Sequence, residues 1–291
     1  MNSAFIFPGQ GSQSMGMLSD LSKEYALVQE TFDEASAVLG YDLWSLCQDG
    51  PNDKLGQTEF TQPALLTAGV AVWRVWKQQG GADPVVMAGH SLGEYTALTC
   101  AGALEFSEAV TLVQDRGRYM QTAVPAGQGA MAAVIGLDDQ AVIDACLKAS
   151  DNGLIQAVNF NAPGQVVIAG EKQAIDQSVD LFKDAGAKRV LPLPVSIPAH
   201  SQLMTPAANK LKERIAGIDV SLPSIPVVHN CNVEVATSAE QVRENLVTQL
   251  DSPVLWVSSV ETMVADFQIQ TMIESGPGKV LSGMILSLIH I

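Results

Sequence analysis

The chain has 291 residues, of which 47% are hydrophobic and 16% charged, a composition typical of a folded protein with a large core and not of a disordered chain. Its 31 acidic and 16 basic residues give a formal net charge of −15, which argues against binding to nucleic acids or to anionic membranes. The four cysteines have neither the spacing of a zinc site nor that of a disulfide framework.

Short apolar runs and helical patterns alternate along the first 124 residues. A strand over 4–7 leads into a loop rich in glycine and amide side chains, and a loop after a strand is a common binding site. The first residues lack a secretory signal and no segment reaches the ~18 apolar residues of a membrane helix, so we expect a cytoplasmic protein. The remaining elements predicted here are helices over 18–40, 63–78, 96–101 and 107–123 and a strand over 85–88.

The pattern changes after residue 124. The predicted order is strand 130–135, helix 138–149, strands 154–159 and 165–169, helix 171–185 and strand 188–191. This β-α-β-β-α-β order is that of a ferredoxin-like fold, and segments with proline and glycine flank it. We therefore predict a small domain, residues 125–194, inserted into a large α/β domain made of residues 1–124 and 195–291.

The predicted fold class is α/β, with a large α/β-hydrolase-like domain around a parallel sheet and an inserted ferredoxin-like (βαββαβ) small domain. Alternating strands and helices favour a parallel sheet in the large domain. Its C-terminal part is predicted to contain helices over 202–216, 239–249 and 253–265 and strands over 225–228 and 268–274.

The most informative motif is the run 89–93, Gly-His-Ser-Leu-Gly, between the strand over 85–88 and the following helix. The glycines permit a tight turn, the serine lies at its tip, and the helix N-terminus directs N–H groups at the site. This context predicts that Ser91 is a nucleophile for acyl transfer. The alternative is a glycine-lined turn that only packs closely.

A serine nucleophile needs a general base, and the chain has four histidines. His90 adjoins Ser91 in the turn, His229 lies in an apolar strand, and His290 lies in the tail. His200 stands in a proline-containing loop between the two predicted domains, where clefts form, and is the predicted base. Its alternative role is to cap the following helix. The acids between Ser91 and His200 fall on helices of the small domain, so we expect the partner of the imidazole to come from elsewhere, for example from a main-chain carbonyl.

Several motifs lie in the same order as in one enzyme family. Together they resemble malonyl-CoA:acyl carrier protein transacylases over essentially the whole chain. The motifs are Gly9-Gln10-Gly11-Ser12-Gln13, Gln62-Pro63-Ala64, the run 89–94, Arg116-Gly117-Arg118-Tyr119-Met120-Gln121, Asn159-Phe160-Asn161-Ala162-Pro163, the loop that holds His200, and Gly276-Pro277-Gly278-Lys279.

The resemblance implies a role for each catalytic residue. Ser91 would take the malonyl group from coenzyme A, and His200 would activate it. The main-chain N–H groups of Gln10 and Leu92 would form the oxyanion hole. A main-chain carbonyl near Gln249 would hold the imidazole.

The resemblance also implies a substrate pocket. Arg116 would bind the free carboxylate of malonate through a two-pronged hydrogen bond, whereas without the resemblance a salt bridge on the helix surface is the simpler interpretation. Gln62 and His90 would line the same pocket. Asn159 and Asn161 would either contact the pantetheine arm or stabilise a turn.

The expected partners are malonyl-CoA and acyl carrier protein, with no metal or other cofactor, no nucleic acid and no membrane, and with the chain acting as a monomer. The carrier protein is acidic, so we expect a local basic patch drawn from Lys183, Lys188, Arg189 and Lys279. The small Ala199 before the histidine leaves tolerance of methylmalonyl open. The apolar ending over 285–291 differs from the usual polar and basic continuation and indicates a clipped or altered terminus.

Three functions other than malonyl supply to fatty acid biosynthesis stay open on sequence. A discrete acyltransferase of a polyketide synthase would have the same chemistry and site. A serine thioesterase or hydrolase would share the turn around Ser91 but use water as acceptor. A catalytically silent module that docks carrier protein would not need the serine at all.

Overall fold

The computed structural model describes residues 2–286, which form two separate sheets and the helices around them. The strands are β1 (Ser3–Phe7), β2 (Val86–Gly89), β3 (Gly129–Ile135), β4 (Ile155–Ala162), β5 (Gln165–Glu171), β6 (Arg189–Pro192), β7 (Val227–Val228) and β8 (Thr271–Glu274). The α-helices are α1 (Ser19–Glu24), α2 (Ala26–Leu39), α3 (Leu43–Asp49), α4 (Asn52–Leu55), α5 (Thr58–Gln78), α6 (Leu92–Cys100), α7 (Phe106–Ala123), α8 (Asp139–Ala149), α9 (Lys172–Asp184), α10 (Thr205–Ile215), α11 (Ala239–Thr248), α12 (Trp256–Phe267) and α13 (Val280–Leu286).

The first sheet is parallel, in the order β7-β2-β1-β8. Both of its faces are covered, because alternate residues of β1 enter different apolar clusters. Phe5 and Phe7 pack with the helices α5, α6 and α7, while Ala4 and Ile6 pack with α12. In this parallel arrangement Phe7 pairs with Gly89, so the loops after β1 and β2 leave the sheet side by side. Ligands commonly bind at this carboxyl edge of a parallel sheet.

The second sheet is antiparallel, in the order β4-β5-β3-β6, which is the strand order of a ferredoxin-like fold. One face packs against α8 and α9. The other face carries a smaller apolar cluster, which includes Met131 and Val158 and extends to Val195 and Ala199. This second face is turned toward the first sheet, so it forms one wall of the space between the two. The strands of this sheet all lie within the predicted small domain, whose limits at 125 and 194 stay a prediction.

The small sheet is tied to the rest of the molecule through its edge strand. The N–H of Phe160 donates a hydrogen bond to the Val254 carbonyl at 3.0 Å, and the N–H of Val254 donates to the Val158 carbonyl at 2.8 Å. These bonds cover part of the open edge of β4. They also hold the end of β4, with Asn159 and Asn161, close to the carboxyl edge of the parallel sheet.

The structure corrects several predicted helices. The helix predicted over 18–40 is two helices, since Tyr25 is extended and joins α1 to α2. The helix expected from residue 63 begins at Thr58, and Pro63 lies inside it. Close packing explains this extension, because Gly117 of α7 lies against the backbone of Thr58 and Glu59 without room for a Cβ. The helix predicted over 96–101 already begins at Leu92, and α3 and α4 were not predicted.

Two strands of the parallel sheet are shorter than predicted. The strand expected over 225–228 is reduced to Val227–Val228, and that over 268–274 to Thr271–Glu274. Apolar runs set the predicted lengths, whereas the ladder of hydrogen bonds to β2 and β1 sets the observed ones. Within residues 2–286, no helix combines the length and the apolar character needed to cross a bilayer. The apolar ending lies largely outside the described residues, as does His290.

Candidate active site between the two sheets

Ser91 occupies a sharp turn between β2 and α6. Its backbone has φ 52° and ψ −108°, a conformation that a residue with a side chain adopts only under strain. The flanking glycines make the turn possible, because a Cβ on Gly89 would overlap the backbone of Gly93 and a Cβ on Gly93 would overlap the Phe7 carbonyl. The turn therefore presents the Ser91 hydroxyl at the carboxyl edge of the sheet, just before the first N–H groups of a helix.

Asn230 holds this turn from the neighbouring strand. Its Oδ1 accepts the N–H of Ser91 at 2.7 Å, and its Nδ2 donates to the Gly89 carbonyl at 2.7 Å. Asn230 is not among the predicted site residues. The available signal was its position two residues after Val228, since β7 runs parallel to β2 and the ends of both strands therefore meet at one edge.

The structure brings Ser91 and His200 together. Oγ of Ser91 lies 2.7 Å from Nε2 of His200, and Nδ1 of His200 lies 2.8 Å from the main-chain carbonyl oxygen of Gln249. The carbonyl can only accept, so Nδ1 carries the proton and Nε2 is free to accept the serine proton. The alternative role of His200 as a helix cap is wrong, because the helical turns that follow it have no side-chain cap.

The imidazole of His200 is neutral at physiological pH. Burial, followed by the positive charge of Arg116, lowers the pKa of His200 to about 3. The hydrogen bond to the Gln249 carbonyl raises the pKa of His200, but by less than burial and Arg116 lower it. A neutral imidazole in contact with a hydroxyl is able to act as a general base.

Arg116 lies inside the molecule, not on a helix surface. It projects from α7 with 1% of its surface exposed, so the simpler interpretation as a surface salt bridge is wrong. Nη1 donates to Oε1 of Gln62 at 2.8 Å, and Nη2 donates to Oε1 of Gln249 at 3.0 Å and to Oγ of Ser91 at 3.2 Å. The guanidinium also lies over the ring of Tyr95, 5.1 Å from its centroid.

This guanidinium is suited to binding a carboxylate. Among residues 2–286 it makes no ion pair with a carboxylate, and its buried Nε has no hydrogen-bond partner. Burial lowers the pKa of Arg116, because keeping a charged guanidinium away from water costs free energy. A carboxylate from outside would supply the missing negative charge and accept two parallel hydrogen bonds.

A cavity of about 130 Å³ opens beside Ser91 and Arg116. One side is apolar, with Met120, Met131 and Ala199 among its lining residues. Its other lining residues are Gln10, Thr58, His90, Ser91, Leu92, Arg116, Asn159, Leu193, Val195, Ile197 and His200. The cavity is thus lined by Ser91 and His200, by the Arg116 guanidinium and by several apolar side chains.

The two asparagines at the end of β4 have different surroundings. Oδ1 of Asn161 lies 2.8 Å from Nε2 of His90, whose pKa is lowered by burial of the ring. Asn159 lines the cavity, and its buried Oδ1 has no hydrogen-bond partner within residues 2–286. An unpaired buried oxygen of this kind is unusual and is available to a donor from a bound molecule. The structure therefore places Asn159 in the cavity and Asn161 behind His90.

Gln10 and Leu92 line the same cavity as Ser91. The N–H groups of both residues have no acceptor among the described residues. Leu92 is the first residue of α6, where N–H groups have no partner within the helix. N–H groups without an acceptor can stabilise a negative charge that develops on an oxygen bound nearby.

A buried polar group that sequence analysis did not assign lies behind Ser91. Glu94 and His229 are both fully buried, and Oε1 of Glu94 lies 2.7 Å from Nδ1 of His229. His229 follows β7 and is not within the strand, which corrects the prediction. The side-chain amide of Gln249 connects Glu94 to Arg116. The sequence predicted a role only for the main-chain carbonyl of this residue.

The comparisons with known proteins agree with this arrangement. Residues 4–285 match the family model described as acyl transferase domain. A curated relative from Escherichia coli (strain K12), the malonyl CoA-acyl carrier protein transacylase, is 56% identical over 97% of this chain and 91% of its own length. The chain belongs to the malonyl CoA-acyl carrier protein transacylase family. It is an acyltransferase.

Solved structures of this transacylase family share the fold. An acyl carrier protein S-malonyltransferase from Vibrio cholerae superimposes with a TM-score of 0.97 at 53% identity, over 100% of this chain and 94% of the other. A malonyl-transacylase in complex with its type II PKS acyl-carrier protein superimposes with a TM-score of 0.98 at 51% identity, also over 100% and 94%. The α/β architecture with a parallel and an antiparallel sheet is therefore that of the transacylases.

Proposed function

We propose that the chain transfers a malonyl group from malonyl-CoA to the phosphopantetheine thiol of acyl carrier protein through an ester on Ser91. One observation carries the proposal: Oγ of Ser91 contacts both Nε2 of His200 and Nη2 of Arg116. A base and a carboxylate-binding group at the same hydroxyl fit an acyl donor that ends in a carboxylate. The names of the relatives support malonyl as that donor.

In the first half-reaction Ser91 attacks the thioester carbonyl of malonyl-CoA. The hydroxyl proton moves to Nε2 of His200 as the bond from Oγ to the carbonyl carbon forms. The N–H groups of Gln10 and Leu92 stabilise the negative charge that develops on the carbonyl oxygen. The C–S bond then breaks, and the imidazolium returns the proton to the sulfur of coenzyme A.

In the second half-reaction the phosphopantetheine thiol takes the place of coenzyme A. His200 accepts the thiol proton, sulfur attacks the malonyl ester, and the C–O bond to Ser91 breaks. The proton then returns to Oγ, so the enzyme leaves the cycle unchanged. These steps use only side chains and N–H groups of this chain, with no metal or other cofactor in any of them.

Arg116 selects the donor in this mechanism. The malonyl carboxylate accepts hydrogen bonds from the guanidinium, which Gln62 and Gln249 hold in place, and it neutralises a buried positive charge. An acetyl group would leave that charge unpaired, which costs about 1–3 kcal/mol. Neutralising Arg116 also removes one of the two main causes of the low pKa of His200, so malonyl binding makes His200 a stronger base.

Acyl carrier protein is the proposed acceptor, and fatty acid biosynthesis is the proposed destination of the malonyl group. The curated relatives carry the general transacylase name, which does not favour a dedicated polyketide role. Action as a monomer in the cytoplasm remains part of our proposal. The basic patch of Lys183, Lys188, Arg189 and Lys279 remains our prediction for the contact with the carrier protein.

Initial rates with malonyl-CoA and holo acyl carrier protein test the proposal. A covalent intermediate predicts parallel lines when reciprocal rate is plotted against reciprocal malonyl-CoA concentration at several carrier protein concentrations. Free malonate released faster than malonyl carrier protein forms would instead establish a hydrolase. Unchanged transfer by Ser91→Ala would contradict the ester on Ser91.

A further inference from the structure

Glu94 is a buried carboxylate that takes no part in the proposed proton transfers. It lies in the first turn of α6, and none of its side chain is exposed. Oε1 lies 2.7 Å from Nδ1 of His229, and Oε2 accepts hydrogen bonds from the N–H of Asn230 and from Nε2 of Gln249, both at 2.9 Å. A buried carboxylate is costly unless it is paired in this way, so the site fixes the position of Glu94 closely.

The amide of Gln249 has one orientation because of Glu94. Its Nε2 donates to Oε2 of Glu94 at 2.9 Å and to the Ser91 carbonyl at 3.0 Å, which uses both of its hydrogens. Both partners can only accept, so the amide nitrogen has to face them. The amide oxygen is left facing Arg116, where it accepts from Nη2 at 3.0 Å.

Arg116 depends on this oxygen for its position. Its guanidinium is held at one end by Oε1 of Gln62 and at the other by Oε1 of Gln249, which is the end nearest Oγ of Ser91. If the Gln249 amide rotated by half a turn, its NH₂ group would point at the guanidinium, and two donors would face each other. Arg116 would then lose the contact that keeps it beside the nucleophile.

We propose that Glu94 is a positioning residue that selects dicarboxylic acyl donors, because it orients the Gln249 amide that holds Arg116 next to Ser91. This inference rests on the proposed function, in which Arg116 binds the malonyl carboxylate. Glu94 touches neither the substrate nor the reacting atoms. Its effect is therefore expected in the choice of donor and not in the reactivity of the serine.

The test compares Glu94→Leu with Glu94→Gln. In Glu94→Gln the amide oxygen takes the Oε2 position and still accepts hydrogen bonds from Gln249 and Asn230. The amide nitrogen then faces His229, whose Nδ1 can accept a hydrogen bond from it when the ring proton is on Nε2. Glu94→Gln should therefore keep the ratio of malonyl-CoA to acetyl-CoA acylation rates within about threefold of the wild type, whereas Glu94→Leu should lower that ratio by about tenfold or more.

A second readout separates positioning from general damage. A fluorophosphonate probe has no carboxylate and reacts with a serine that a histidine activates. Its rate with Glu94→Leu should stay within about threefold of the wild type, because Ser91 and His200 keep their own contacts. His229→Asn is the matched control in the same buried cluster, since an amide retains a donor to Oε1 of Glu94, and it should keep the wild-type ratio.

If Glu94→Leu does not fold, Gln249→Met tests the inference in its place. This substitution removes the side-chain amide but keeps the main-chain carbonyl that binds His200. It should lower the malonyl preference as Glu94→Leu would. The inference is overturned if the substitution that folds slows both donors in the same proportion, or if Glu94→Gln also loses the preference. A wild-type protein that forms no malonyl ester on Ser91 would instead overturn the proposed function itself.

Discussion

Nη2 of Arg116 donates a hydrogen bond to Oγ of Ser91 at 3.2 Å, so the proposed carboxylate clamp and the proposed nucleophile are in direct contact. This proximity matches the size of malonate, in which a single methylene separates the carboxylate from the thioester carbonyl. A longer dicarboxylate would place its carbonyl too far from the hydroxyl once its carboxylate reached the guanidinium. In the proposed mechanism, the distance between these two side chains therefore selects the chain length of the donor as well as its charge.

Replacing Arg116 should remove the preference for malonyl. Arg116→Met deletes the charge and the fork of donors, so malonyl-CoA acylation should slow by about 30-fold or more, while acetyl-CoA acylation should change little or rise. Arg116→Lys keeps the charge but not the paired hydrogen bonds, and should recover only part of the rate. Rates of acylation with each donor measure this, and equal losses with both donors would show that Arg116 is not the clamp.

Acid should destabilise the protein through His200. Its pKa is lowered to about 3 in the fold by burial and by Arg116, against 6.5 for an ordinary histidine. Between these values the unfolded chain binds a proton that the folded chain does not, so the free energy of unfolding falls by about 1.4 kcal/mol for each pH unit below 6.5.

His200→Gln removes this proton linkage. Its stability relative to the wild type should therefore improve as the pH falls from about 7 to about 4.5. Urea unfolding of both proteins at the two pH values gives the difference, and His90 contributes equally to both. A difference that does not change with pH would contradict the low pKa of His200.

The two glycines around Ser91 should not tolerate a side chain. A Cβ at Gly93 would overlap the Phe7 carbonyl, so Gly93→Ala should lower the free energy of unfolding by about 1–3 kcal/mol and abolish acylation. Gly283→Ala is the control, because Gly283 is also helical but no atom of another described part of the chain lies within 4 Å of the added Cβ. Thermal unfolding compares the two, and similar small effects would show that the turn is not tightly packed.

Asn230 should affect turnover through the shape of the turn. Asn230→Leu leaves the N–H of Ser91 and the Gly89 carbonyl without their partners, so kcat should fall by about tenfold or more with a smaller change in KM. Asn232→Leu is the control on the same segment, because Asn232 bonds only Asn245 and Glu234 and does not reach the turn. Equal effects of the two substitutions on kcat would show that Asn230 does not act through the turn at Ser91.

The turn around Ser91 could be predicted from the sequence, and so could its pairing with His200, because the chain has few histidines and one of them lies in the loop between the predicted domains. Other long-range contacts of the site could not be predicted. The strand, turn and helix around Ser91 form one continuous segment with glycines where they are needed. Asn230 and the amide of Gln249 instead reach Ser91 from 139 and 158 residues away. The sequence predicts a strand before Asn230, but not that this strand pairs with β2, and that pairing is what brings Asn230 to the turn.

The fold shows the same division. The order of strands and helices followed from apolar spacing, because each amphipathic element must bury one face. The limits of the helices did not follow from this spacing, because tertiary packing decided them. Gly117 leaves room for α5 to begin at Thr58, before Pro63, and the extended Tyr25 separates α2 from the helix before it. The helical pattern around Arg116 likewise did not predict its burial, because a guanidinium on a helix is usually exposed. The surrounding glutamines and Tyr95 explain its buried position.

Intact mass after brief incubation with malonyl-CoA is the sharpest test of a malonyl ester on Ser91. We expect one added malonyl group, located on Ser91 by peptide mapping, absent from Ser91→Ala and much weaker with acetyl-CoA. An adduct that persists in Ser91→Ala, or equal labelling by both donors, would contradict it.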